Sequence, residues 1–268
     1  MSIKWKIIIP TVCILVVLVV TTVIFSSIKF SAYTEILFSE RIAVATNGLK
    51  KYMDDCERDS KIAALTASTD ANVISAIANR DRDEIINVLS SSMDLYHVNF
   101  FTVTDADGIV LARTHEQNMY GDSIAYQKNI QEALSGAIYT CIEEGTVVKV
   151  SVRTGAPVYD TEGTLVGAIS AGKRFDINET LDRLKEHYHA EFGVYINDVL
   201  ISATVKINGE RIIGWPLNPD TKEKVYSTKK GFYGASTVEN DTYSLFYLPL
   251  LRQGVPLLSF LLRESPCN

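Results

Sequence analysis

The chain has 268 residues, 47% hydrophobic and 22% charged, with a formal net charge of -6. That length and apolar content can bury the core of one or two domains and exclude a disordered chain. An acidic balance without a Lys/Arg-rich run excludes a nucleic-acid surface, which sets clustered positive charge against phosphate.

Residues Ile7 to Ile28 carry no charge, with Lys4 and Lys6 before them and Lys29 after. At ~1.5 Å per residue the run covers the ~30 Å hydrocarbon core of a bilayer as one helix. A cleaved signal peptide has an apolar region of only ~7 to 15 residues and a small-residue cleavage site, and none follows here. Pro10 falls in the first turns, where it is tolerated. The positive-inside rule places the N-terminus in the cytoplasm and the remainder outside, which predicts a single-pass protein of the cell (inner) membrane.

Phe38, Ile42, Ala45, Leu49, Tyr52 and Cys56 recur at alternating spacings of four and three, one stripe on a long helix that continues from the membrane. Such a stripe packs on its own domain or forms the seam of a homodimer, and its mixed side chains do not decide between the two. Ser68-Thr69-Asp70 reads as a helix restart. Asp81 and Glu84 have the spacing of a capping box, opening a helix from Arg82 to about Tyr96.

The pattern then changes to strands. Val98 to Thr104 and Ile109 to Arg113 flank the turn Asp105-Ala106-Asp107-Gly108 as a hairpin. Tyr126 to Leu134 reads as a helix stopped near Gly136. Val147 to Thr154 and Leu165 to Ala171 read as the last two strands of this sheet, joined through Asp160-Thr161-Glu162-Gly163. Asp176 caps a connecting helix to Tyr188.

The remaining residues echo that order. Gly121, Gly136, Pro157 and Gly163 have counterparts at Gly214, Gly231, Pro249 and Gly254. Asn208-Gly209 is a hairpin turn between Ile201 to Ile207 and Arg211 to Ile213, Pro219 to Ser227 supplies a helix, Tyr243 to Leu250 a strand, and Val255 to Leu262 the closing strand.

The four cysteines, Cys13, Cys56, Cys141 and Cys267, show no CxxC spacing and no zinc set. Cys56 and Cys141 are the one pair able to bridge in an oxidising compartment, and unpaired thiols are the simpler alternative. Asp105 to Glu116 has the length of a calcium loop, but Val110 stands where the loop needs Gly, so the segment reads as a hairpin turn. His187 and His189 cannot share a helix face as metal ligands do. Neither a metal nor a cofactor is expected.

The segments VTDADGIVLARTH, MYGDSI, QEALSG and VRTGAPVYDTEGTLVGAIS, in this order after an apolar helix and a long helix, resemble the extracytoplasmic Cache (PAS-like) sensor domains of bacterial chemotaxis receptors and sensor histidine kinases. The resemblance implies an α+β fold: an N-terminal transmembrane helix, a long juxtamembrane helix and two PAS-like antiparallel-sheet modules. It divides the chain into 1–29 (cytoplasmic tip and transmembrane helix), 30–97 (long helix and helical support), 98–175 (first, membrane-distal module) and 176–268 (connecting helix and second, membrane-proximal module).

The citrate and C4-dicarboxylate sensor kinases of this family hold a carboxylate with an Arg and a nearby His from the second strand and an Arg four residues before a later Pro. Arg153 stands four residues before Pro157, and His115 matches in order. Arg113 lies two residues before His115 where the family's spacing is three, a departure that weakens its match. A guanidinium pairs bidentately with a carboxylate, most strongly where water is excluded, and an imidazole adds a donor. Lys173 is a candidate for closing the pocket, and Tyr96 and Tyr126 for walling it. Arg153 alternates with Val152, so its role depends on whether the face opposite Val152 is pocket or solvent.

These observations predict a membrane-anchored sensor of a small solute, an organic acid by the resemblance, serving chemotaxis or transmembrane signalling. An interaction or accessory protein working through a partner is the alternative. No nucleophile and base pair up, so an enzyme ranks last. Such receptors return through the membrane to a cytoplasmic output region. Val255 to Leu262 is too short to cross, so the expectation is a chain that binds without signalling alone.

Overall fold

The structure, a computed structural model, describes residues 3–143, 145, 148–175, 177–196, 198–228, 231–238, 241–249 and 257–261. Two compact units divide the chain, Met1–Asn47 and Gly48–Asn268. Helix α1 (Ile3–Thr69) contributes to both.

In the first unit α1 carries Ile7–Thr34, a stretch long and apolar enough to cross a membrane. Its four threonines are satisfied within the helix: the hydroxyls of Thr11, Thr21, Thr22 and Thr34 each donate to the carbonyl four residues earlier. That is the condition a helix must meet where no water is at hand.

In the second unit α1 buries Leu49, Met53, Cys56, Ser60, Ala63 and Ala67, a stripe of alternating four- and three-residue steps, with Ala64 buried beside it. Leu49 and Cys56 of the predicted stripe are therefore filled by the module's own packing, and Tyr52 meets the Phe175 ring edge-on at 5.9 Å. The side chain of Phe38 lies outside the described residues. Helix α2 (Ala71–Ala78) starts where Asp70 accepts from the amides of Asn72 and Val73, and α3 (Arg82–Ser92) where Asp81 accepts from the Glu84 amide. Both caps are as predicted. Helix α3 ends before Tyr96 in a turn whose His97 has φ 53°.

The first sheet contains β1 (Phe100–Asp105), β2 (Val110–Arg113), β3 (Tyr139–Glu143), β4 (Ser151–Tyr159) and β5 (Leu165–Arg174), in the order β2-β1-β5-β4-β3, and its recorded pairings are antiparallel. Strand β3 is absent from the sequence prediction, and β4 runs on through Pro157 to Tyr159. Val147, the predicted start of that strand, lies outside the described residues. Ala63, Ala67, Val73, Ile77, Ile85 and Leu89 of the three helices pack on Phe101, Val103, Ala156, Val158, Ile169 and Ala171 of the sheet. Each large side chain so buried contributes about 1.5–3 kcal/mol. The opposite face receives α4 (Lys128–Leu134), through Ile130 and Ala133 against Val110, Ile124 and Ala168. Helix α4 starts two residues later than predicted because Gln127 at its cap is extended, with φ -70° and ψ 130°.

Helix α5 (Asn178–Tyr188) follows; Asp176, its predicted cap, lies outside the described residues. The second sheet contains β6 (Glu191–Ile196), β7 (Val199–Ala203), β10 (Phe232–Val238), β11 (Asp241–Tyr247) and β12 (Leu257–Leu261), ordered β10-β11-β12-β6-β7. Numbered within each sheet, both follow 2-1-5-4-3. Between β7 and α6 (Pro219–Thr228) stands a small hairpin, β8 (Lys206–Ile207) with β9 (Glu210–Arg211). Its turn is Asn208-Gly209, with φ 51° and 86°, as predicted. The predicted strand Ile201–Ile207 is in fact two: Val199–Ala203 belongs to the main sheet and only two residues enter the hairpin. Cys56 and Cys141 do not bridge each other; Cys267 and Gly254 lie outside the described residues.

Candidate functional site

The register of the first sheet sets the site. Opposed residues of antiparallel strands share a face. Arg153 opposes Gly172, and Gly172 opposes Phe100. Thr102 opposes both Ser170 and Arg113. Phe100, Thr102, Arg113, Arg153 and Ser170 of these two rows, on the face away from α1, line a small open cavity, with His115, Ile124, Gln127, Gly145 and Val148 completing the wall. The face opposite Val152 is therefore pocket, not solvent.

Arg153 is 4% exposed. Its Nε and Nη2 donate to Ser151 Oγ at 2.9 and 2.7 Å, its Nη1 to Gln127 Oε1 at 3.0 Å, and its Nη2 to the Val148 carbonyl at 3.4 Å. These hydrogen bonds orient the guanidinium and offset the cost of burying it. The guanidinium lies 5.5 Å from the centroid of the Phe100 ring. Gly172 makes this stacking geometry available, because a Cβ there would stand 2.3 Å from the ring of Phe100. The His115 ring lies 5.0 Å from the same ring at 51°.

Arg113 is equally buried but differently partnered. It forms a two-point ion pair with Asp122, both contacts at 2.8 Å, and donates to the Met119 carbonyl. The guanidinium beside Asp122 holds that carboxyl below its ordinary value.

Of the six residues predicted for the site, Arg153, His115 and Arg113 meet at the cavity and three lie elsewhere. Lys173 opposes Val152, so the two-residue period turns it to the other face, where it pairs with Asp59 of α1. Tyr96 packs with the helical core on that same face. Tyr126 is 69% exposed outside the lining, and its neighbour Gln127 enters the wall instead. Ser151, Thr102 and Ser170 went unread although strand alternation with Arg153 and Phe100 carries the signal for them. Asp105, the first residue of the supposed calcium loop, accepts from the amides of Asp107 and Ile109 and pairs with Arg80, which makes it a turn residue.

Residues 39–256 match the double Cache family dCache_3, described as the double sensory domain of two-component sensor kinase. The chain belongs to this family. Its matched region is thus an extracytoplasmic-type sensory domain, a ligand-binding rather than a catalytic part. Among solved structures it resembles the ligand-binding domain of the Campylobacter jejuni chemoreceptor Tlp3 in complex with 4-methylisoleucine, at TM-score 0.51 and 13% identity over 85% of this chain and 92% of that one. It also resembles the sensor domain of the Vibrio cholerae histidine kinase DctB, at TM-score 0.50 and 10% identity over 85% and 96%. At such identities the likeness is one of fold. No curated protein matches the chain by sequence.

Proposed function

We propose that this double Cache domain senses a small organic acid, whose carboxylate is received by Arg153 with His115 beside it, for chemotaxis or transmembrane signalling. The buried Arg153 guanidinium, 5.5 Å from the Phe100 ring centroid and oriented by Ser151 and Gln127 at the cavity wall, carries the reading. In this reading residues 98–175 form the membrane-distal, ligand-bearing module and residues 176–268 the membrane-proximal one. Ile7–Thr34 anchors the chain in the cell membrane with the N-terminus cytoplasmic. A homodimer through the long helix would use a face other than Leu49 and Cys56, which are already buried.

The test is calorimetry of the full chain in detergent micelles against short mono- and dicarboxylates and branched amino acids. A carboxylate should bind, and Arg153→Ala should weaken it at least tenfold, about 1.4 kcal/mol. Binding that survives Arg153→Ala unchanged, or no binding by any acid, overturns the assignment.

A further inference from the structure

His115 stands at the start of the loop from Thr114 to Ser123, whose crest has little packing of its own. Glu116, Gln117, Asn118, Met119 and Tyr120 are all exposed, so the path of the crest is set by polar clamps rather than by burial. At the start of the loop the Phe101 amide donates to Thr114 Oγ1 at 2.9 Å and the Thr114 amide to the Phe101 carbonyl at 3.0 Å. At its end the Gly121 amide donates to the Val110 carbonyl at 2.8 Å and the Val110 amide to the Asp122 carbonyl at 2.9 Å. Arg113 holds the Met119 carbonyl at 2.7 Å. Arg82, the first residue of α3, holds the crest at two points: Nη2 donates to the Gln117 carbonyl, and the guanidinium lies 4.5 Å from the centroid of the Tyr120 ring. Arg82 itself does not line the cavity.

We propose that Arg82 is a positioning residue for ligand binding: acting from α3, outside the cavity wall, it fixes the crest of the loop and so sets where the His115 ring stands beside Arg153. The inference rests on the carboxylate reading of Arg153 and His115. Only His115 and Glu116 separate the Thr114 anchor from the Gln117 carbonyl. With both ends held, the backbone of His115 has little freedom to turn. The His115 ring lies 5.0 Å from the Phe100 ring, and the Arg153 guanidinium lies 5.5 Å from the same ring, so this one segment brings the imidazole to the guanidinium. Releasing the Gln117 end opens other paths to the segment, and ligand affinity then falls by the fraction of time that the ring spends in place.

A double-mutant cycle tests this, because it separates an effect exerted through His115 from a general loosening of the fold. Calorimetry of the full chain in detergent micelles compares the unaltered protein, Arg82→Ala, His115→Ala and the double variant, with the tightest binder among acetate, butyrate, succinate and leucine as the probe. Arg82→Ala should weaken binding about fivefold or more in the unaltered background and less than about twofold where His115 is already replaced. An equal loss in the two backgrounds, or no loss in either, overturns the inference and leaves the Arg153 reading standing. Unchanged affinity in His115→Ala overturns it as well, since Arg82 then has nothing to act through. If Arg82→Ala does not fold, Tyr120→Ala, a 59% exposed position, takes its place in the same cycle and should show the same dependence on His115. No binding by any of the four acids overturns both readings.

Discussion

Lys173 Nζ lies 3.3 Å from Asp59 Oδ2, an ion pair that ties β5 to α1 on the face of the first sheet away from the cavity. Both side chains are largely buried, 15% and 18% exposed, and the ammonium also lies 5.9 Å from the centroid of the Tyr52 ring. Lys173→Ala should therefore destabilise the chain by about 1–2 kcal/mol, as expected when one partner of a largely buried polar pair is lost. Carboxylate affinity should stay within twofold. Denaturant titration reads the first and calorimetry the second; a tenfold loss of affinity would return Lys173 to the binding site.

Gly155 allows α4 to lie directly on β4. A Cβ at this position would stand 2.0 Å from the Asn129 carbonyl oxygen, a backbone atom that cannot swing away. Gly155→Ala should cost at least about 3 kcal/mol, the upper end of ordinary overpacking. Gly163→Ala meets no atom within 4 Å and bears only the strain of φ 82°, about 1–2 kcal/mol. Parallel urea melts compare them, and equal costs would mean that α4 does not press on β4 as described.

Asp122 should leave a mark on acid stability. The Arg113 hydrogen bond, with its charge and against the opposing effect of burial, depresses the folded carboxyl pKa. The stabilisation is therefore complete above the unfolded value of ~3.9 and is lost as pH falls through the lower folded value. Urea midpoints measured downward from about pH 6 should fall more steeply below about pH 4 in the unaltered protein than in Asp122→Asn. Because Asp122 is 40% exposed, added salt should shrink the difference. Parallel curves would show that the pair contributes nothing.

Cys56 is fully buried beside Tyr52, and burial pushes its thiol up to about 11. Since the thiolate is the reactive species, Cys56 should resist a thiol reagent at pH 8 until the protein is denatured. Mass mapping after a timed pulse reads this, and labelling of Cys56 at the rate of a small free thiol would contradict the packing of α1.

Much of this fold was legible because its signals are local. Asp70 and Asp81 announced helix starts, and Asn208-Gly209 announced a two-residue hairpin, since caps and turns depend on a few neighbouring residues. Arg153 and His115 were legible through the family's spacing. Strand β3, at a sheet edge with only five residues from Tyr139 to Glu143, is too short for its alternation to stand out. Lys173 could not be separated from the cavity before register was known, because only the opposition of Val152 to Lys173 and of Gly172 to Arg153 puts the two cations on different faces. Asp122 was missed because it meets Arg113 across a loop, and no helical or strand period links the two positions.

The strand order of the second sheet has a consequence for synthesis. Strands β6 and β7 pair with each other, β10 and β11 pair with each other, and β12 is the seam between the two hairpins. A nascent chain can form both hairpins early, yet the sheet cannot close until Leu257–Leu261 has left the ribosome. Until then two unpaired edges stand open, a template for strand exchange between neighbouring chains. The first sheet, sealed in the same way by β5, can close while the second half of the chain is still being made.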